Sequence, residues 1–306
     1  MKIFLKRVFL FLISFVLIFV IGILLPATPK ASNYYLFSKT HKDSLLQNVK
    51  SPRIIFVGGS NLVFGLNSNL IKDSLQLNPI NTALTATVGL VYMMDNVLPY
   101  VKQGDVIVVA PEYQQFFGKF GYGGNDLVML LYDIDFLGVD HINKTQWINI
   151  IKKSPDYLIS KFKPNQYYNY DEKPIYGINI FNEYGDSDFH WNLKQREFEP
   201  SNFFTAKLNF SVIANLKKFD NEIKKKGATL FITFPGYQAT SFEINKEKIE
   251  ILEAELVKRK FRLLGTAERY KMHDSLMFET PYHLIKKGVD LRTNLLIEDI
   301  SNSLLK

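Results

Sequence analysis

The run Ile54-Ile55-Phe56-Val57-Gly58-Gly59-Ser60-Asn61 constrains this chain more than any other segment. Its four large apolar residues read as a strand covered on both faces, the pattern of a parallel sheet. The two glycines that follow let the backbone turn sharply where a Cβ would clash. Ser60 then falls at the carboxyl end of a strand, where open α/β sheets place their ligands. A hydroxyl there is a candidate nucleophile. The same glycines also suit an ordinary strand-to-helix turn, with Asn67 or Ser68 capping the helix beyond it.

Strand-like and helix-like segments alternate along the rest of the chain. Strands are expected at Ile54–Val57, Pro79–Leu84, Asp105–Ala110, Leu230–Phe234 and Phe261–Leu264. The β-branched run Asp105-Val106-Ile107-Val108-Val109-Ala110, stopped by Pro111, is the clearest of them. Helices are expected at Ser68–Leu75, Val91–Val101, Ala206–Lys226, Ile244–Lys260 and Leu284–Leu305. In the third of these, Leu208, Val212, Leu216 and Ile223 mark one apolar face and Gly227 ends it. Such alternation predicts a parallel sheet with helices on both faces.

Between Phe116 and Pro200 the alternation stops. This stretch mixes polar residues with Gln166-Tyr167-Tyr168-Asn169-Tyr170, Tyr176, Tyr184 and Trp191. Inserted at the carboxyl end of the central strand, it is expected to hang over the site face. Aromatic and polar mixtures suit sugar rings, whose flat apolar faces stack on them. The other reading is an insertion with its own small core.

A hydrophobic content of 47 % and an aromatic content of 14 % in 306 residues can fill a sizeable core and exclude a disordered chain. Residues Val8 to Leu25 carry no charge and follow Lys2, Lys6 and Arg7. Such a run is near the shortest that spans a bilayer as a helix, and its flanking cations should stay cytoplasmic. A cleaved signal peptide has the same outline, but Pro26-Ala27-Thr28-Pro29-Lys30-Ala31 is a poor processing site, which favours an uncleaved anchor. The expected layout is a cytoplasmic tip and membrane anchor over 1–31, a polar linker over 32–50, and one α/β domain over 51–306 with an insertion at about 116–200. The localisation that follows is single-pass, with the domain outside.

The absence of cysteine excludes disulfides and a lipid-modified cysteine. Of the net charge of +7, four units lie in the first 30 residues, so the exported part is too weakly basic to argue for nucleic acid. The five histidines, His41, His141, His190, His273 and His283, show no metal-ligand spacing. Only Asp186-Ser187-Asp188-Phe189-His190 clusters, and it reads better as a polar loop. A glycine-rich phosphate loop with a lysine is also absent. No metal and no cofactor are expected.

The second chemical signal is Met277-Phe278-Glu279-Thr280-Pro281-Tyr282-His283-Leu284, between the last strand and the last helix. A histidine there faces the carboxyl ends of the strands, as Ser60 does, and is the usual acceptor of a serine proton. It needs a partner to hold its tautomer, usually a carboxylate. Glu279 serves if the loop curls back, with Asp274 as the reserve.

Together, the Gly-Gly-Ser-Asn turn and the acidic loop ending in His283-Leu284 resemble the SGNH/GDSL hydrolase superfamily. The likeness covers about residues 50–306 and is closest to a membrane-anchored, exported branch that includes proteins of acyl transfer on cell-envelope polymers. Weaker traces are Asn81-Thr82-Ala83-Leu84-Thr85-Ala86-Thr87-Val88-Gly89, Pro111-Glu112-Tyr113, Asn182-Glu183-Tyr184-Gly185-Asp186 and Phe234-Pro235-Gly236-Tyr237. The resemblance implies a flavodoxin-like, three-layer αβα fold, with Ser60 as nucleophile and His283 as base. It implies oxyanion donors at the Ser60 N–H and at Gly89, and substrate contacts at Asn61, Glu112 and Tyr113. Its partners would be an acylated glycan or envelope polymer, proteins that build such polymers, and the membrane through residues 8–25.

The sequence departs from the family in three places. Gly59 stands where the family has an acid. Thr280 and Glu279 stand where the last block has aspartate. Glu112 replaces an oxyanion asparagine, and a carboxylate donates no hydrogen bond unless protonated. Gly123-Gly124-Asn125-Asp126 spells the third-block motif but starts thirteen residues past Ala110, out of register. Two functions follow: an exported serine esterase or O-acyltransferase, or an inactive relative that binds or assembles surface polysaccharide.

Overall fold

The computed structural model describes all residues except 169–173, 204, 305 and 306. Asn169 and Tyr170, and Leu305 of the expected last helix, lie outside the described residues. An apolar helix, α1 (Lys2–Leu24), comes first and is long and apolar enough to cross a membrane. It is followed by α2 (Pro29–Ser32), α3 (Lys39–Asn48), β1 (Arg53–Gly58), α4 (Ser60–Val63), α5 (Ser68–Leu75), β2 (Asn78–Asn81), α6 (Leu90–Val97) and β3 (Val106–Ala110). The insertion contributes α7 (Asn125–Asp133) and α8 (Lys144–Ser160). After it come α9 (Phe210–Lys225), β4 (Thr229–Thr233), β5 (Tyr237–Gln238), α10 (Ala239–Lys258), β6 (Leu263–Leu264), β7 (Lys271–Met272) and α11 (Lys286–Leu304).

The central sheet has the order β2-β1-β3-β4-β6, and every pairing in it is parallel. The expected α/β class with a parallel sheet is therefore present. β1 and β3 lie in the middle and are buried along their whole length, as their unbroken apolar runs require. A separate parallel pair, β5 with β7, leads into the loop that carries His283.

The expected linker over 32–50 is not a linker. Tyr35, Leu36 and Leu46 belong to the domain core, and α3 packs beside β2. Its polar sequence misleads because two of its cations, Lys39 and Lys42, are buried and satisfied. Lys42 Nζ donates to Asn81 O at 3.0 Å and to Gly185 O at 2.7 Å and lies over the Phe181 ring. Burial, only partly offset by Asp186, pulls its pKa down to about 7.

Arg53, the first residue of β1, locks this segment to the sheet. Its Nε donates to Asp105 Oδ1 at 2.9 Å, its second terminal nitrogen pairs with Asp105 Oδ2, and Nη1 reaches Leu46 O at 2.8 Å. Both charged side chains are fully buried. Removing one partner of such a pair leaves the other charge uncompensated, a loss of about 3–5 kcal/mol. Arg53→Met should lower unfolding stability by that amount in denaturant titration of the detergent-solubilised chain; an unchanged midpoint would deny the pair this role.

Candidate active site

The ends of β1 and β3 come together at Gly58 and Gly59. A Cβ on Gly58 would lie 2.4 Å from Ala110 O, so no larger residue fits. A Cβ on Gly59 would lie 2.7 Å from Glu112 Oε1 and 3.0 Å from Ala86 Cβ. The space that a side chain at position 59 needs is thus filled by a carboxylate from the end of β3.

That carboxylate organises the serine turn. Ser60 Oγ donates to Glu112 Oε1 at 3.0 Å, and the Asn61 N–H donates to the same oxygen at 3.2 Å. Gln114 Nε2 donates to Oε2 at 3.1 Å. Burial raises the Glu112 pKa above its ordinary value, opposed by the nearby His283 and by these hydrogen bonds. Ser60 opens α4, so its own N–H has no intrahelical acceptor, and it has no other partner among the described residues.

A tight loop delivers the histidine. The Phe278 N–H donates to His283 O at 2.8 Å, and Thr280 Oγ1 accepts from the Tyr282 and His283 N–H groups at 3.3 and 3.1 Å. This curl brings residues 279 and 283 side by side, and His283 Nδ1 meets Glu279 Oε1 at 2.5 Å. Tyr176, from the insertion, donates its hydroxyl to Glu279 Oε2 at 2.6 Å. Burial alone would raise the Glu279 pKa, but the bonds from His283 and Tyr176 outweigh it and hold the carboxyl below its ordinary value. His283 is 4 % exposed, and its Nε2 has no partner among the described residues. Its ring packs on Phe64 with centroids 4.3 Å apart, and the Leu284 N–H donates to Phe64 O at 3.3 Å. The histidine loop is therefore seated on the turn that carries Ser60.

Of the candidate residues, Ser60, Glu112, Glu279 and His283 come together. The reserve acid Asp274 does not join them; it accepts from the Thr240 N–H at 3.1 Å and from Gln238, at the start of α10. Gly89 is corrected as an oxyanion donor, because its N–H is bonded to Ala86 O at 3.0 Å. Ala86, in the segment after β2, is the residue there that touches the Gly59 turn. Asn61 and Tyr113 are corrected as substrate contacts. Asn61 is fully buried and ties α4 to β3 through Ala110 O, and Tyr113 packs in the core on Tyr237 and Phe234. Glu112, also buried, contacts the serine rather than open solvent.

In the segment Asp186–His190 the middle, Asp188 and Phe189, is exposed, but Asp186, Ser187 and His190 are buried. Asp186 accepts from the Ser68 N–H at 2.7 Å, Ser68 Oγ at 2.9 Å and Asn81 Nδ2 at 2.8 Å. His190 Nε2 lies 3.0 Å from Leu284 O, beside His283, and burial together with that neighbour lowers its pKa to about 4. It braces the histidine loop as a neutral ring. The Gly123-Gly124-Asn125-Asp126 motif packs on the segment after β2: the Gly124 N–H donates to Thr87 O at 2.8 Å, and Thr87 Oγ1 bonds Asp126.

No protein-family model matches the chain, and no curated protein matches it.

Glu112 gives the site a pH signature. Its folded pKa lies above the unfolded one, so its burial costs nothing while the group is protonated. That neutral state holds below the ordinary carboxylate range, and stability is lost as pH rises through the raised value. Glu112→Gln, which stays neutral, should match wild type near pH 4 in thermal melts and exceed it at pH values above the ordinary carboxylate range. A stability difference that does not grow with pH would contradict this.

Proposed function

We propose that this chain is an exported, membrane-anchored serine esterase or O-acyltransferase that acts on acylated cell-envelope glycans through an acyl-enzyme. The reading takes the fold as flavodoxin-like with the architecture of the SGNH/GDSL hydrolases, and takes α1 as an anchor with its cationic end in the cytoplasm. The observation that carries it is the Glu279–His283 hydrogen bond of 2.5 Å on a loop seated against the Ser60 turn.

In the mechanism, Glu279 holds His283 by Nδ1, leaving Nε2 as the base. The Ser60 hydroxyl turns from Glu112 toward His283 and gives up its proton as Oγ attacks the acyl carbonyl. The Ser60 N–H stabilises the developing oxyanion. His283 returns the proton to the departing sugar oxygen, and an ester to Ser60 remains. Water or a second sugar hydroxyl, deprotonated by the same histidine, then attacks that ester, and His283 gives the proton to the departing Ser60 Oγ as the acyl group is released.

One observation favours the second reading, an inactive binding or assembly factor: Ser60 Oγ is bonded to Glu112, not to the histidine. Hydrolysis of a small activated acetyl ester by the full chain in detergent separates the two. The catalytic reading predicts turnover that Ser60→Ala and His283→Ala abolish and Glu279→Ala lowers roughly 10²- to 10⁴-fold. Wild-type turnover no higher than that of folded Ser60→Ala would leave the binding reading in its place.

A further inference from the structure

α8 buries one mixed face and leaves a second, apolar face open. Gln146, Ile150, Ser154 and Leu158 recur every fourth residue and are buried. Ile148, Ile151, Pro155 and Ile159 form a second stripe at helical spacing, and Phe162 continues its line just past the helix end. Ile151 is 66 %, Ile159 57 % and Phe162 51 % exposed, with Trp147 and Ile148 also open. A soluble surface seldom carries so many large apolar side chains in one line.

The position of α8 says what covers this stripe. Leu158, which borders it, sits against Gly22 of α1, where an added Cβ would be 3.2 Å from Leu158 Cβ. Lys161 Nζ donates to Leu25 O at 2.8 Å, at the residue where the apolar run of α1 stops. The open stripe therefore begins where the membrane-spanning helix ends. Lys144, Lys152 and Lys163 lie beside it, exposed, with a single acid, Asp156, on the same flank. An apolar stripe flanked by lysines, with a tryptophan, is the composition of a helix lying in a bilayer interface.

We propose that α8 is an interfacial helix that embeds its Ile148–Phe162 stripe in the outer leaflet and so docks the domain on the lipid surface in one orientation. The occupant is lipid: the apolar stripe takes acyl chains, and the lysines take headgroup phosphates. This inference rests on the reading that α1 spans the membrane, and it adds a second contact that a tether alone does not provide. The insertion that carries α8 also carries Tyr176, which bonds Glu279. Docking then fixes the height of the site above the membrane.

The chain has no cysteine, so single labels are easily placed. The full chain is reconstituted into phosphatidylcholine–phosphatidylglycerol vesicles with an environment-sensitive fluorophore at Ile151→Cys, Ile159→Cys, Phe15→Cys in α1, or Ile251→Cys in α10. The expected result is blue-shifted emission at 151 and 159, with quenching by lipid-borne nitroxide several-fold stronger than at 251 and weak quenching by aqueous iodide. A label at 15 in lipid with 151 and 159 as open to iodide as 251 overturns the interfacial helix alone. That result would point to a protein partner or a second copy on the stripe. A label at 15 outside lipid overturns the anchor reading and this inference with it.

Discussion

The close approach of the ends of β1 and β3 is the constraint on which the site depends. Gly58 leaves room for Ala110 O, and Gly59 leaves room for the Glu112 carboxylate. With a side chain at either place, the two strands would separate or the carboxylate would be displaced. Because both are absent, a buried acid from β3 reaches the Ser60 hydroxyl and the Asn61 N–H together. At position 59 a glycine and a carboxylate from the end of another strand share the space that a side chain would take. The cost of burying Glu112 falls on the folded state, while its hydrogen bonds fix the turn that presents Ser60.

What was legible in the sequence was what periodicity reports. β1, β3 and β4 appear as unbroken apolar runs, and Ser68–Leu75 is a helix over the expected span. Burial of polar groups was not legible. The segment 32–50 reads as a linker because Lys39 and Lys42 are charged, yet both are buried: Lys39 pairs with Asp43 of its own helix and with the distant Asp135, and Lys42 bonds two distant carbonyls. Asp186 and His190 read as loop residues for the same reason. Sequence placed the choice between Glu279 and Asp274 on whether a loop curls, and Thr280 decides it by capping two N–H groups. Gly89, Asn61 and Tyr113 were candidates by position alone, and position does not reveal which donors are already bonded or which rings face the core.

The insertion at 116–200 links regions that its sequence does not suggest. α8 meets the end of α1, Gly185 receives the buried Lys42, and Tyr176 reaches the carboxylate that orients His283. It has a packed pair of helices, α7 and α8, whose buried residues Leu127, Leu130 and Ile150 join the domain core instead of forming a separate one, and its Tyr176 reaches Glu279. One segment therefore contacts the N-terminal apolar helix and the candidate catalytic dyad.

The central claim is that Ser60 is a nucleophile activated by the Glu279–His283 pair. Intact-mass analysis after incubation with a fluorophosphonate tests this most directly, because the reagent bonds to an activated serine and needs no knowledge of the natural substrate. The account predicts one phosphonyl adduct on wild type, mapped to Ser60, absent in Ser60→Ala and strongly slowed in His283→Ala. An unmodified wild-type chain, or an adduct that forms as fast without His283, would contradict it.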